Sequence, residues 1–295
     1  MGSCGTHQGT ECWCNTRPDC LSALNVVGAY VLTLYADVVV ILFCLVWRVW
    51  YGVFAYVFLA ASALAIWAHL KTMLTDPGSV PADAQPLGGE GTSDLGYCAK
   101  CNAYKPRSAY HCSKCRRCVV RMDHHCPYTN NCVGAKNQKH MILFLVYCVA
   151  QALFAIALCG YYCFESHGFQ SYPWPQRVFA VLLAVDGMLT LAFTGNMTRR
   201  QITSVVTGVG TIDRLKLAKG KTIAGGNPLP LSAVFGNGTV MLWWVPIDPD
   251  FGDPPDAILG YRSPSYVSVK AAAAAAASSG EIAEANAHLP LLAKS

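Results

Sequence analysis

Four long apolar runs, separated by polar stretches of very different lengths, set the rhythm of this chain. They cover Ala23–Trp47, Trp50–Leu70, Met141–Phe164 and Val178–Met197. At 1.5 Å per residue each run, as a helix, reaches across a hydrocarbon layer of ~30 Å. The first two are nearly continuous and the last two are separated by a short connection, so the pattern predicts two helical hairpins, residues 23–70 and 141–197. Residues 1–22 form a polar, cysteine-rich segment. The run after them is longer than the apolar stretch of a signal peptide and reads as a retained anchor. A polar insert, residues 71–140, separates the hairpins. Its first part, from Thr75-Asp76-Pro77-Gly78 to Gly91, has the turn chemistry of a connector. After the second hairpin, 198–295 is mixed. Asn227–Ile247 is too short to span but aromatic enough to lie at an interface. The alanine run Ala271–Ala277 marks 265–295 as low complexity, disordered or a transient helix.

Composition supports an integral membrane protein. Of 295 residues 53% are hydrophobic and 13% charged, about half the charge of an ordinary soluble chain. Twenty of the 22 Lys and Arg residues precede the first run, lie in the insert or follow the fourth run. The positive-inside rule places all three regions, with both termini, in the cytosol. Disulfides are disfavoured there, and the sequons at Asn196 and Asn237 are expected to stay unglycosylated. Two acids, Asp37 and Asp186, interrupt the apolar runs and are read as helix–helix hydrogen-bonding groups or cavity lining.

The chemistry is concentrated in the insert. From Cys98 to Cys132 lie seven of the 15 cysteines together with His111, His124 and His125. C-x-x-C pairs followed by more Cys and His are a zinc signature. Two closed tetrahedral sites need eight ligands, which leaves one Cys and one His over beside Asp123. Adjacent His111 and Cys112 cannot easily face one ion, which favours interleaving. One set is then Cys98, Cys101, His111 and Cys118; the other is Cys112, Cys115, His125 and Cys132. Spacing alone leaves open which of His124 and His125, and which of Cys126 and Cys132, are ligands. A leftover Cys, His and carboxylate are the parts of an activated nucleophile.

The run Asp123-His124-His125-Cys126-Pro127-Tyr128-Thr129-Asn130-Asn131-Cys132-Val133-Gly134, after C-x2-C-x9-HC-x2-C-x2-C, resembles the cysteine-rich domain of the DHHC protein S-acyltransferases, or palmitoyltransferases. The preceding Asp76-Pro77-Gly78 and the later Val234-Phe235-Gly236 resemble further elements of that family, over roughly residues 23–247. The resemblance implies an all-α integral membrane protein of four transmembrane helices, with a cytosolic two-zinc domain, about 95–135, between helices 2 and 3. It implies Cys126 as the acylated nucleophile, His124 as its base and Asp123 as the orienting group. Acyl-CoA would be the co-substrate, two zinc ions structural, and the partners protein cysteines near the bilayer, in endomembranes or the plasma membrane. Arg107, Lys114, Arg116, Arg117, Arg121 and Arg199 are candidates for the CoA phosphates, although membrane topology accounts for such charges equally well.

Two departures stand out. Tyr128 occupies a position where the family usually has Trp. The family's Thr-Thr-x-Glu element, after the fourth run, appears here as Thr198-Arg199-Arg200-Gln201, with the carboxylate lost. Met-Gly-Ser-Cys-Gly-Thr fits an N-myristoylation pattern at Gly2 with Cys4 beside it, and Cys12, Cys14 and Cys20 are further lipidation candidates. Competing readings fare worse. A two-zinc ubiquitin ligase would use Cys126 or His124 as a ligand and leave no free Cys–His pair. A nucleic-acid-binding zinc domain lacks a recognition helix, so no nucleic acid is expected. A transporter leaves the insert unexplained.

Overall fold

The computed structural model describes residues 20–46, 52–86, 96–164, 173–223, 226–252 and 256–262. The proposed lipidation sites at Gly2, Cys4, Cys12 and Cys14, and the low-complexity tail, lie outside the described residues. Four long helices dominate: α1 (Cys20–Ile41), continued by a π-helical turn at Leu42–Val46, α2 (Gly52–Leu74), α3 (Gln138–Phe164) and α4 (Trp174–Thr207). All four are long and apolar enough to cross a membrane, with windows of mean hydropathy from 1.9 to 2.5. Helix α3 packs along both α2 and α4, while α1 leans on α2 and α4. Val39, Phe43, Phe58, Leu158, Tyr162 and Leu183 form the buried centre, with the Phe43 and Tyr162 rings edge to face at 4.8 Å. Outward faces carry exposed Val31, Leu34, Val38, Val181, Val185 and Leu189, an apolar surface that water would penalise. Asp37 plays the helix-bridging part expected of it, accepting a 2.9 Å hydrogen bond from Ser62 Oγ.

The chain is mostly helical rather than all-α. Three antiparallel hairpins lie between α2 and α3: β1 (Tyr97–Cys98) with β2 (Ala103–Tyr104), β3 (Ala109–Cys112) with β4 (Arg117–Val120), and β5 (His124–Cys126) with β6 (Asn131–Val133). Each strand is too short to build a hydrophobic face, so the hairpins are organised around their cysteines. Asn102 and Arg116, each directly after a C-x-x-C, adopt left-handed backbone with φ of 50° and 57°. That conformation folds the chain back after each second cysteine.

Helix α2 is joined to this domain through its own end. The last carbonyls of a helix lack intrahelical donors. Here the Asn131 side-chain amide donates to the carbonyls of Thr72, Met73 and Thr75 at 3.0–3.2 Å, and Asn137 Nδ2 donates to Thr72 O and Cys132 O. The chain then turns at Asp76, whose carboxylate accepts the Gly78 and Ser79 amides, and runs beside β4 through Val80 N–H to Cys118 O and Val120 N–H to Gly78 O. Gly134 lets this strap approach: a β-carbon there would stand 2.5 Å from Pro77 O and 2.6 Å from Val119 Cγ1.

Helix α4 runs ten residues beyond the apolar stretch read from sequence. Its polar extension continues because Gln201, Ser204 and Val205 find buried positions on one face, and it stops at Gly208 in left-handed conformation, φ 65°. Helix α5 (Thr211–Leu217) follows, then the short helices α6 (Ser232–Phe235), α7 (Val240–Trp243) and α8 (Asp256–Leu259). Lys139 donates to Leu242 O and Ile247 O, both at 3.0 Å. Asp248 takes Lys71 Nζ at 2.6 Å and His140 Nε2 at 3.0 Å. The C-terminal region is thereby pinned over the ends of α2 and α3.

Two expectations follow. Asn131→Ala would leave buried carbonyls of α2 without donors, at about 1–3 kcal/mol for each stranded group; thermal melting should show the loss, while the isolated helices keep their far-UV signal. The second concerns acid. His140 and Lys71 hold the Asp248 carboxyl down at about 2 against the opposing effect of burial. A depressed carboxylate contributes stability that is complete above its unfolded value of about 3.9 and is lost as pH falls toward 2. Hydrogen exchange across residues 239–248, corrected for intrinsic rates, should therefore rise in that window, and Asp248→Asn should show the raised exchange already at neutral pH.

Candidate active site

Hairpin register assembles two Cys/His clusters. Across β3 and β4, His111 pairs with Cys118, and across β5 and β6, His125 pairs with Cys132. Directly opposed residues hold their side chains together on one face. Each such pair meets the C-x-x-C of the preceding hairpin, giving Cys98, Cys101, His111, Cys118 and Cys112, Cys115, His125, Cys132. Since successive strand residues face opposite ways, His111 and Cys112 serve different clusters, and the β3–β4 hairpin braces both.

The donor geometry fits zinc. His111 Nδ1 lies 3.5 and 3.2 Å from the Cys98 and Cys101 sulfurs, and Cys101 and Cys118 sulfurs are 3.8 Å apart. His125 Nδ1 lies 3.8, 3.4 and 3.7 Å from the sulfurs of Cys112, Cys115 and Cys132. A tetrahedron built on zinc bonds of about 2.0–2.3 Å has edges of roughly 3.3–3.8 Å. Three thiols and an imidazole at those separations, with no disulfide among the described cysteines, form a set that a Zn²⁺ ion would close.

Strand alternation also divides Asp123-His124-His125-Cys126. His125 faces the second cluster, so His124 and Cys126, two residues apart on β5, share the other face. Asp123 stands just before the strand and is 2% exposed. Its Oδ2 meets His124 Nδ1 at 2.8 Å and accepts Gln201 Nε2 at 2.8 Å and Thr211 Oγ at 3.1 Å; its Oδ1 accepts the Thr211 amide at 2.6 Å. Burial pushes the carboxyl up, but the hydrogen bonds from His124, Thr211 and Gln201 overcome it and hold Asp123 ionised below its usual range. His124 Nε2 is buried with no hydrogen-bond partner. The Cys126 thiol lies close enough to act on it electrostatically: burial disfavours imidazolium, yet Asp123 and Cys126 together raise the His124 pKa. The Cys126 thiol moves the opposite way. Burial would raise it, but His124 and then Thr129 bring it below its ordinary value. Thiol, imidazole and carboxylate thus stand in sequence, with the ionised forms of the Cys–His pair favoured.

Around Cys126 the surroundings are apolar: Val133, Met141, Leu145, Phe144, Tyr128 and Met197. Tyr128 stacks obliquely on Phe193 of α4 at 4.9 Å, and its carbonyl meets His69 Nε2 of α2 at 3.0 Å. Cys126 therefore sits where the cysteine-rich domain meets the long helices.

A family model described as DHHC palmitoyltransferase matches residues 92–218. The chain is 34% identical to palmitoyltransferase ZDHHC7 of Rattus norvegicus over 235 residues, 75% of this chain and 76% of that one. It is 34% identical to palmitoyltransferase ZDHHC3 of Homo sapiens over 255 residues, 80% of this chain and 84% of that one. The chain belongs to the DHHC palmitoyltransferase family. A plant relative, probable protein S-acyltransferase 12 of Arabidopsis thaliana, aligns at 32% identity over 145 residues, 44% of this chain and 49% of that protein. The protein is accordingly a protein S-acyltransferase.

Within this acyltransferase the Thr-x-acid spacing sought at 198–201 is met elsewhere. Gly210-Thr211-Ile212-Asp213 opens α5, and Thr211 is the residue that grips Asp123 through both its amide and its hydroxyl. Asp213 accepts the Gly210 amide at 3.3 Å and the Tyr110 hydroxyl, so it docks α5 on β3. The signal was present in the sequence as an acid three residues into a helix that follows a glycine, a helix-start pattern. Gln201 is no vacancy either, since its amide supplies Asp123 with a donor that a carboxylate could not. Of the basic candidates, Arg107, Lys114, Arg116 and Arg199 are exposed. Arg117 is partly buried with its Nε on Cys115 O, and its charge lies near the second cluster's sulfurs. Arg121 turns inward onto Gln138 and Ala233 O.

Metal analysis of the purified protein should find two zinc ions per chain. Cys132→Ala should remove one of them and make the insert protease-sensitive, because metal binding in such small domains contributes folding free energy of roughly 10–16 kcal/mol. Retention of both metals in that variant would contradict the assignment of Cys132.

Proposed function

We propose that the enzyme carries a long-chain fatty acyl group, palmitoyl foremost, from acyl-CoA to protein cysteines through a thioester on Cys126. The observation that carries this reading is the shared face of β5. Cys126 and His124 face away from both metal clusters, with the imidazole held between the thiol and Asp123. His124 Nε2 takes the Cys126 proton, and the thiolate attacks the thioester carbonyl. The bond to CoA sulfur breaks, and the proton leaves with the CoA thiol. In the second half a substrate thiol gives its proton to His124 and attacks the acyl-enzyme, and Cys126 departs as the thiolate. One thioester is exchanged for another, so no separate energy source is needed. Asp123 fixes the imidazole tautomer and stabilises imidazolium, as the carboxylate of a Ser-His-Asp triad does. Zinc bound by four protein ligands in each cluster would be structural, holding the hairpins that present β5.

Several features support a membrane setting. The four apolar helices would span the bilayer, with both termini and the insert cytosolic, and the apolar cluster around Cys126 would receive the acyl chain from the side of the long helices. The CoA head would stay in the cytosol near the exposed Arg107, Lys114, Arg116 and Arg199. Substrates would be proteins whose cysteines lie close to the membrane surface. The rat and human relatives named palmitoyltransferases support palmitoyl as the group transferred.

The test uses palmitoyl-CoA and the full chain in lipid nanodiscs. The parent should acquire a hydroxylamine-labile acyl group on Cys126. Cys126→Ser should lose both self-acylation and transfer while keeping two zincs. His124→Ala should also keep both metals, and alkylation of Cys126 should then shift to higher pH, toward the free-thiol value of about 8.5. His125→Ala should lose a metal. If His124→Ala loses zinc while His125→Ala keeps both, the roles of the two histidines are exchanged and the reading fails.

A further inference from the structure

Asp123 is gripped by more than the residues beside it in sequence. Gln201 Nε2 donates to its Oδ2 at 2.8 Å; Gln138 Nε2 donates to Gln201 Oε1 at 3.4 Å; Arg121 Nη2 donates to Gln138 Oε1 at 3.3 Å. The participants come from three places in the chain: Arg121 from the turn after β4, Gln138 from the first residue of α3 and Gln201 from the polar extension of α4. Gln138 and Gln201 are 4% and 1% exposed, so water does not complete their hydrogen bonding. The ends of the chain set its direction. An ionised carboxylate only accepts and a guanidinium only donates. Asp123 therefore requires the NH2 of Gln201, which turns Gln201 Oε1 toward Gln138. That requires the NH2 of Gln138 and leaves its oxygen for Arg121. Neither amide can flip without setting like against like at one end.

We infer that Arg121, Gln138 and Gln201 form a directed donor relay that positions Asp123 for the acyl-transfer reaction. The relay brings the influence of a full positive charge to the carboxylate through two neutral amides, each polarised along the same line. A cation placed directly on Asp123 would compete with His124 for it; the amides hold the carboxylate and leave Oδ2 directed at the imidazole. Arg121 also donates to Ala233 O at 3.1 Å, so the docked C-terminal region sits at the far end of the same chain. All three are positioning residues, since none touches the reacting sulfur. The inference rests on the reading of Asp123, His124 and Cys126 given above.

The decisive variant is Gln138→Glu. As mere packing between helices it should be harmless, because a glutamate would pair with Arg121 at least as well. In the relay it is damaging, since it offers no donor to Gln201 Oε1 and forces that amide to flip or to face a negative charge. Single-turnover acylation of the full chain in nanodiscs, with palmitoyl-CoA as donor, should show the rate reduced roughly 10- to 100-fold, the range for losing a charge-assisted hydrogen bond. The palmitoyl-CoA concentration giving half-maximal rate should stay within twofold, and both zincs should be retained. Gln201→Leu should behave alike. Parental turnover in Gln138→Glu would overturn the relay. So would a loss of rate that comes with lost zinc, which would mark the amides as structural. Asp123→Asn separates the two levels. If it is as fast as the parent, the reading of the trio fails; if it is slow while Gln138→Glu is not, the relay alone fails.

Discussion

A strand turns successive side chains to opposite faces, and the functional arrangement of this acyltransferase depends on that alternation within three residues. On β5 it allows one imidazole to face a metal cluster while its neighbour faces a thiol. Two chemically identical side chains in adjacent positions are thereby given different surroundings. His125 meets Cys112, Cys115 and Cys132; His124 meets Asp123 and Cys126. The same rule separates His111 from Cys112 and makes the middle hairpin common to both clusters. A slip of one residue in the β5–β6 register would move every one of these groups to the wrong side, so the fold of the insert and its chemistry stand on one hydrogen-bonding pattern.

The hairpins alone would leave Cys126 without a fixed relation to the long helices. Three sets of polar contacts provide it. Asn131 and Asn137 occupy the open carbonyls at the end of α2; His69 reaches from within α2 to the carbonyl of Tyr128; and the α4 extension and α5 close on Asp123 from above. In each case a buried backbone or carboxylate group has a hydrogen-bonding need that only a residue from a different element meets. The site is therefore a junction, and its accuracy depends on four segments that are remote in sequence.

Much of this was legible in the sequence because its signals are local. The apolar runs locate the long helices, and the C-x-x-C spacings with His111 name most of the cluster residues. What escaped depended on strand register or on tertiary contact. Spacing could not assign His124 and His125, because the alternation that separates them appears only once β5 is known to be a strand. The extension of α4 past Met197 was hidden because Gln201 and Ser204 look like loop residues until their buried partners are visible. Thr211 was overlooked because Thr198-Arg199-Arg200-Gln201 lies nearer the apolar run, and nothing local reports that the chain returns to Asp123 fourteen residues after Met197. Arg121 looked like one more basic surface residue; its inward contacts with Gln138 and Ala233 O are tertiary, and no composition reveals them.

Cys126 is only 3% exposed, and this shelter bears on how long an acyl group would stay there. A thioester in open water is slowly lost to hydrolysis, and each such loss is an acyl-CoA spent without a modified protein. Here Cys126 lies in a buried cluster with Val133, Met141 and Leu145, side chains that offer a water molecule no hydrogen-bonding path. Excluding water protects reactive intermediates in this way. On the proposed mechanism the loaded enzyme can then wait, and the lifetime of its charged state is governed by the arrival of a substrate thiol rather than by the abundance of solvent.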